Sequence, residues 1–219
     1  IGKHRRFRKL TFHSKIVIVT TLVLIAVGTI LLKATEPISW LGAFFHSVSA
    51  RTAGFSTYAI GDFTNAGLFV LCVLMFIGAS PGSTGGGIKT STFFVLFQSA
   101  KSMFSKKPAG AFHRSIAKEN IAKSYMIMML SLAVVCIGTF LMCVLEPDCT
   151  FIQLMFEVVS AFGTVGLSTG ITPTLSVAGK LVIIVIMFIG RLGAFTLLSM
   201  WIDHPEPNIR YSQESISIG

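Results

Sequence analysis

Two short segments carry the groups best suited to chemistry in this chain: Thr52-Ala53-Gly54-Phe55-Ser56-Thr57 and Thr164-Val165-Gly166-Leu167-Ser168-Thr169. A Gly flanked by Thr and Ser between long apolar stretches is the composition of a pore lined by backbone carbonyls. The chemistry would be replacement of a cation's hydration shell. Gly54 and Gly166 permit backbone conformations barred to residues with a Cβ, so carbonyls can turn toward a common axis. The competing reading of either segment is a helix-ending turn without a ligand, and recurrence in matched context favours the filter. Covalent chemistry has less support, because no paired carboxylates, nucleophile–base pair or metal cluster stands out. Cys72, Cys136 and Cys143 lie inside apolar segments and Cys149 just outside one. Neither they nor the dispersed His4, His13, His46, His113 and His204 have ligand spacing, and His46 reads as a packing residue.

The elements that must position these segments also recur. The two copies are 112 residues apart, and the same offset carries Met75-Phe76-Ile77-Gly78 onto Met187-Phe188-Ile189-Gly190 and Ala66-Gly67 onto Ala178-Gly179. Upstream, Glu36-Pro37 answers Glu146-Pro147. The repeating unit is a long apolar segment, a Glu-Pro break, a shorter apolar stretch, the Thr-x-Gly-x-Ser-Thr segment and a second long apolar segment. Hydrophobic residues make up 53% of the 219 and charged residues 12%, against about 25% charged in an average soluble domain. The mean hydropathy is +0.77. Residues 16–32, 67–80 with a broken continuation over 88–104, 125–145 and 177–201 approach or exceed the length needed to span a bilayer. The first could also be the core of a signal peptide, but no small-residue cleavage site follows and the repeat matches it to 125–145.

Between the spans of each unit the chain is too short to cross again. Ser39 can cap a helix over residues 40–50; Asp148 or Thr150 can cap its counterpart, with Gln153 completing a capping box. Each is predicted to be a re-entrant half-helix, tolerated at membrane depth only against protein or a water-filled cavity. Its C-terminal end carries partial negative charge, which favours a cation.

Charge orients the spans. Six of the 18 basic residues precede the first span (Lys3, Arg5, Arg6, Arg8, Lys9, Lys15) and six lie in the middle loop (Lys101, Lys106, Lys107, Arg114, Lys118, Lys123), which places both regions in the cytoplasm. Glu36, Asp62, Glu146 and Asp148 then lie near the outer mouths, and the net charge of +9 is a topology signal. Nucleic-acid binding is the weaker reading, since no aromatic platform accompanies the basic residues. The run Gly78-Ala79-Ser80-Pro81-Gly82-Ser83-Thr84-Gly85-Gly86-Gly87-Ile88-Lys89-Thr90 cannot be a regular span interior. It is not a phosphate loop either, because Ile88 separates Gly87 from Lys89 and no soluble strand precedes it. A kink for packing remains the alternative to a moving loop. Arg191, inside an apolar run, should find a partner: carbonyls or hydroxyls of Ser80, Ser83 and Thr84, or Glu157, or else an interface reached by snorkelling. Arg51 could brace the outer mouth.

With Val48-Ser49-Ala50-Arg51-Thr52-Ala53-Gly54-Phe55-Ser56-Thr57, the glycine-rich run, Gly163-Thr164-Val165-Gly166-Leu167-Ser168 and Ile189-Gly190-Arg191, the chain resembles the Ktr/Trk/HKT potassium transporters, most closely their bacterial membrane subunits. The resemblance covers about residues 10–205 and implies an all-α polytopic membrane protein. Two tandem helix, pore-helix, filter, helix repeats would form half of a pseudo-fourfold pore, as the third (16–104) and fourth (124–202) of four. A basic segment (1–15), a basic linker (105–123) and a tail (203–219) would be cytoplasmic. It implies a potassium filter of Thr52, Ala53, Gly54, Phe55, Thr164, Val165, Gly166 and Leu167. It also implies a gate made by the 78–87 loop, with Ser80, Gly82, Ser83, Thr84, Gly85, Gly86, Gly87, Lys89 and Arg191. The implied function is potassium uptake in a bacterial inner membrane, without catalysis. Implied partners are the first two repeats, a second subunit as homodimer and a cytoplasmic nucleotide-binding regulatory ring. No cofactor is implied in this chain, the nucleotide belonging to the ring. Sodium-coupled or sodium-permeable transport, and a secondary transporter with a broken-helix site, remain as alternatives. The chain opens on Ile1 rather than Met, so a fragment or renumbered segment is expected, with residues needed for a functional pore elsewhere.

Overall fold

The computed structural model describes residues 10–105, 109–112 and 114–193. Seven helices carry the architecture: α1 (Phe12–Thr35), α2 (Trp40–Ser49), α3 (Asn65–Phe76), α4 (Thr90–Ser105), α5 (Lys118–Leu145), α6 (Phe151–Gly163) and α7 (Val177–Leu192). Four of the helix starts are set by a hydroxyl. Thr11 accepts from Ser14 N, Ser39 from Gly42 N, Thr64 from Gly67 N and Ser176 from Gly179 N, at 3.0–3.2 Å. At α6 the Gln153 Oε1 accepts from Thr150 N and Oγ1 at 3.1 and 2.8 Å, fulfilling the expected pairing of those residues. Among the described residues, α1 and α5 are the helices long and apolar enough to cross a membrane by themselves.

The two units share one order of elements. In each, a long helix ends at Glu-Pro, a short helix runs into a Thr-x-Gly loop, and a further helix follows. The offset drifts along the unit, from 110 for Glu36 and Glu146 to 111 for Ser39 and Thr150 and 112 from Thr52 and Thr164 onward. The two glutamates are clamps. Glu36 Oε1 accepts from Thr64 N and Oγ1 at 2.9 and 2.7 Å; Glu146 Oε1 accepts from Ser176 N and Oγ at 2.8 and 2.5 Å. Each carboxylate thus ties the end of the first helix of its unit to the start of the last, beside N–H groups that favour negative charge. A Cβ on Gly67 or Gly179 would clash with the carboxylate, which fixes glycine at both positions.

Burial follows the same plan. Ile16, Thr20, Leu24, Gly28 and Leu32 form an i, i+4 stripe on α1 facing α2 and α3. α3 packs on α6, joining the units through Leu71, Met75, Leu154, Phe156 and Phe162, with the Phe76 and Phe162 rings stacked at 5.9 Å. The opposite faces are apolar and exposed: Leu22, Val23 and Ile30 on α1; Ile137, Phe140 and Val144 on α5; Ile184, Val185 and Phe188 on α7. Such faces suit lipid or further protein, not water.

Several expectations are corrected. α1 starts four residues before 16, and α5 seven before 125, because Lys118, Glu119 and Lys123 are good helix formers that extend the span beyond its apolar part. The linker between α4 and α5 holds a small hairpin, Gly110–Ala111 with Arg114–Ser115, so the chain is mostly rather than wholly helical. The stretch 67–80 becomes a helix of only 12 residues, since Pro81 and the glycines end it early. α7 closes at Gly193, whose φ of +85° caps it; its expected continuation to 201, and the segments 1–9, 106–108, 113 and 203–219, lie outside the described residues.

Candidate functional site: two Thr-x-Gly loops above a glycine-rich break

The chain leaves each of the short helices α2 and α6 through a Thr-x-Gly segment of unusual backbone. Thr52 and Thr164 have φ of +73° and +51°, Gly54 and Gly166 of +77° and +94°, while Ala53 and Val165 between them stay negative. Left-handed conformation is costly for a β-branched residue, and it occurs at the same place in both units. Alternation of φ sign lets neighbouring carbonyls turn to one side, whereas a regular strand would alternate them. A Cβ on Gly54 would fall on the Val165 carbonyl oxygen, so the two segments lie side by side.

Each loop is held from behind by its own helix. Ala53 N and Gly54 N donate to Ser49 O at 3.0 and 3.1 Å, and Ser49 Oγ donates to the Phe55 carbonyl. Val165 N donates to Ser160 O at 2.9 Å and Gly166 N to Ser160 Oγ at 3.2 Å. One turn earlier stand His46 and Glu157. His46, fully buried among Phe45, Tyr58 and Phe63, contacts Gly42 O through Nδ1 at 2.9 Å and Ser56 Oγ through Nε2 at 3.3 Å. This is the packing role expected of it, with an added hold on the loop. Glu157 takes the corresponding place in the second unit and accepts from Ser168, Thr169 and Thr172.

The glycine-rich break is an excursion closed at its base. Ile77 and Ile88 pair as a parallel bridge, with Ile88 N donating to Phe76 O at 3.0 Å and Thr90 N to Ala79 O at 3.3 Å. Between them, Ser83 N turns back to Ser80 O at 3.1 Å, and Gly82 and Gly87 have φ of +83° and +72°. The run touches both threonines. Gly86 N donates to Thr164 Oγ1 at 2.7 Å, and a Cβ on Gly85 would come 2.7 Å from Thr52 Cγ2. Glycine is therefore required for this close approach. Lys89 Nζ donates to Gly85 O, and Arg191 Nη1 donates to Thr84 O.

Of the sequence-derived residues, the structure brings together Thr52, Gly54, Thr164 and Val165 of the Thr-x-Gly segments, Thr84, Gly85 and Gly86 of the run, Lys89 and Arg191. It selects among the partners considered for Arg191. The acceptor is the Thr84 carbonyl, and Glu157 is engaged by the loop of its own unit instead. Arg51 is also reassigned. Its Nη2 donates to Gly78 O at 2.9 Å, so it braces the end of α3 at the break, not the mouth. Its Nη1 is buried without an acceptor among the described residues, beside a cavity of about 460 Å³ lined by Ile18, Thr21, Leu22, Ala79 and Ser80. Glu36 and Glu146, expected at the mouths, are the clamps described above. Their signal was the Thr64/Ser176 match three residues before Gly67 and Gly179, which lies within the repeat itself. Among the described residues no group of three His, Cys, Asp or Glu comes together.

A helical chain with an apolar exterior, and with two loops whose carbonyls are turned by alternating φ, has the build of a membrane transport protein. The chain belongs to the TrkH family of cation transport proteins, whose model it matches over residues 2–211. It is 40% identical over its full length to the Ktr system potassium uptake protein B of Vibrio alginolyticus, of which it covers 51%. It is 37% identical to the protein of the same name from Bacillus subtilis, covering 52%, and 36% identical to the potassium/sodium uptake protein NtpJ of Enterococcus hirae, again covering 52%. Among solved structures the potassium transporter TrkH of Vibrio parahaemolyticus superposes with a TM-score of 0.66 at 22% identity, over 86% of this chain and 43% of that one, a likeness of fold. The chain spans about half the length of the curated relatives it matches.

Proposed function

We propose that the chain supplies two of four repeats around a potassium pathway, with Thr52–Phe55 and Thr164–Leu167 as filter segments and the 78–87 loop as gate. The observation that carries this reading is the matched left-handed φ at Thr52, Gly54, Thr164 and Gly166, directly above a glycine run that hydrogen-bonds one of those threonines. Potassium enters from the names of the relatives, and a Gly at the centre of both segments is consistent with it. Dehydrated ions would pass down their electrochemical gradient between carbonyls, without covalent chemistry or a cofactor in this chain. In the closed state the 78–87 loop, latched by Arg191 and Lys89, would fill the path beneath the filter; release of those contacts would open it.

In this reading residues 16–104 and 124–202 are the third and fourth repeats, joined by a cytoplasmic linker, in a bacterial inner membrane. The first two repeats complete the ring, and a second subunit and a nucleotide-binding cytoplasmic ring complete the assembly. The name of the Enterococcus relative includes sodium, which makes relative ion uptake the informative quantity. The test is expression of the assembled transporter, this chain with its complementary half, in a bacterial strain lacking potassium uptake. Growth at low potassium and rubidium influx are expected, with sodium influx smaller. Failure to carry either ion, with the protein present in the membrane, would remove the reading.

A further inference from the structure

We propose that Glu157 is a specificity-determining residue for the cation: a buried carboxylate that positions the second Thr-x-Gly loop and whose charge is balanced by the ion in transit. The proposal rests on the filter reading above. Glu157 lies on α6, is only 5% exposed, and meets four donors. Oε1 accepts from Ser168 Oγ at 2.6 Å, Thr169 N at 2.9 Å and Thr169 Oγ1 at 3.3 Å; Oε2 accepts from Thr172 Oγ1 at 2.8 Å. All four partners are neutral. A carboxylate charge so placed has no cationic partner among these donors, and buried charge is ordinarily paired.

Beside the carboxylate is a cavity of about 250 Å³ that Thr164, Val165, Gly166 and Ser168 line with it, together with the apolar Leu167, Ile183 and Met187. The carboxylate and the loop thus border the same space. The other unit shows that bracing alone needs no carboxylate. His46 occupies the equivalent turn of α2 and contacts Ser56, the counterpart of Ser168. What Glu157 adds is a negative charge behind one filter segment.

Glu157→Gln in the assembled transporter isolates that charge. Gln keeps Oε1 as acceptor for Ser168 and Thr169, and its amide N–H can donate to Thr172 Oγ1, because a hydroxyl accepts as well as donates. The potassium concentration for half-maximal uptake is expected to rise roughly tenfold, the effect of one unit charge acting across about 10 Å at an effective dielectric near 20. The potassium dependence of the melting temperature should move to higher concentration in the same proportion, since both report binding to the folded state. A folded Glu157→Gln protein with the parent's half-saturation would overturn the proposal. If Glu157→Gln does not accumulate, Glu157→Asp retains the charge and should keep the parent's potassium dependence at lower stability; loss of that dependence in Glu157→Asp would equally overturn it. A parent that takes up no potassium would overturn the filter reading itself, and this proposal with it.

Discussion

Gly54 is the residue where backbone strain and the proposed ion selection meet. At φ of +77° any side chain is disfavoured by about 1–2 kcal/mol, and a Cβ there would press on the Val165 carbonyl oxygen of the neighbouring segment. Gly54→Ser should therefore displace a carbonyl of each segment at once. The expected outcome is a lower ratio of rubidium to sodium uptake, with a folded protein that melts a few degrees lower. An unchanged ratio would detach Gly54 from selection. The threonines beside these glycines teach a different lesson. Sequence reading assigns left-handed backbone to glycine, so nothing in Thr52 or Thr164 signalled a positive φ; their helices and the Ser49 and Ser160 braces impose it.

Among the elements, the glycine-rich excursion joins the most partners: Thr52 and Thr164 above, Arg191 and Lys89 beside it, and Arg51 at its base through Gly78. If it obstructs the path, shortening residues 80–87 should raise basal flux severalfold and leave ion preference in place. Arg191→Ala should also raise flux, because it frees the Thr84 carbonyl and removes a positive charge. The double change separates these causes: an Arg191 that acts through the loop adds little once the loop is shortened, as coupled sites do. Additive rates in flux assays would assign Arg191 to direct repulsion of the ion, and a shortened protein that conducts less than the parent would make the run a packing kink. The break itself was legible in the sequence, since Pro81 and the glycines at 78, 82, 85, 86 and 87 forbid a helix. Its closure by the Ile77–Ile88 bridge was not, because two apolar residues eleven apart carry no pairing signal of their own.

For the whole molecule, the repeat was legible because the same turn of backbone demands the same residues twice: glycine in the loop, proline after the first helix, a hydroxyl before the short helix and before the one after the loop. The finer correspondences were hidden by drift in the offset. At a fixed 112, Glu157 aligns with Phe45 and Gly138 with Ala26, whereas in space Glu157 answers His46 and Gly138 answers Gly28. The glutamate clamps were hidden for another reason: Glu36 and Thr64, or Glu146 and Ser176, meet only after an entire short helix and loop have folded between them. Both clamps and both braces converge on one outcome, two loops held against each other with their carbonyls turned. The most direct test of that outcome is crystallographic location of thallium or rubidium by anomalous scattering in the assembled transporter. Ion density is expected within carbonyl reach of both Thr52–Phe55 and Thr164–Leu167, on the axis they share. Density absent there but present elsewhere, such as in the cavity beside Arg51, would contradict the account.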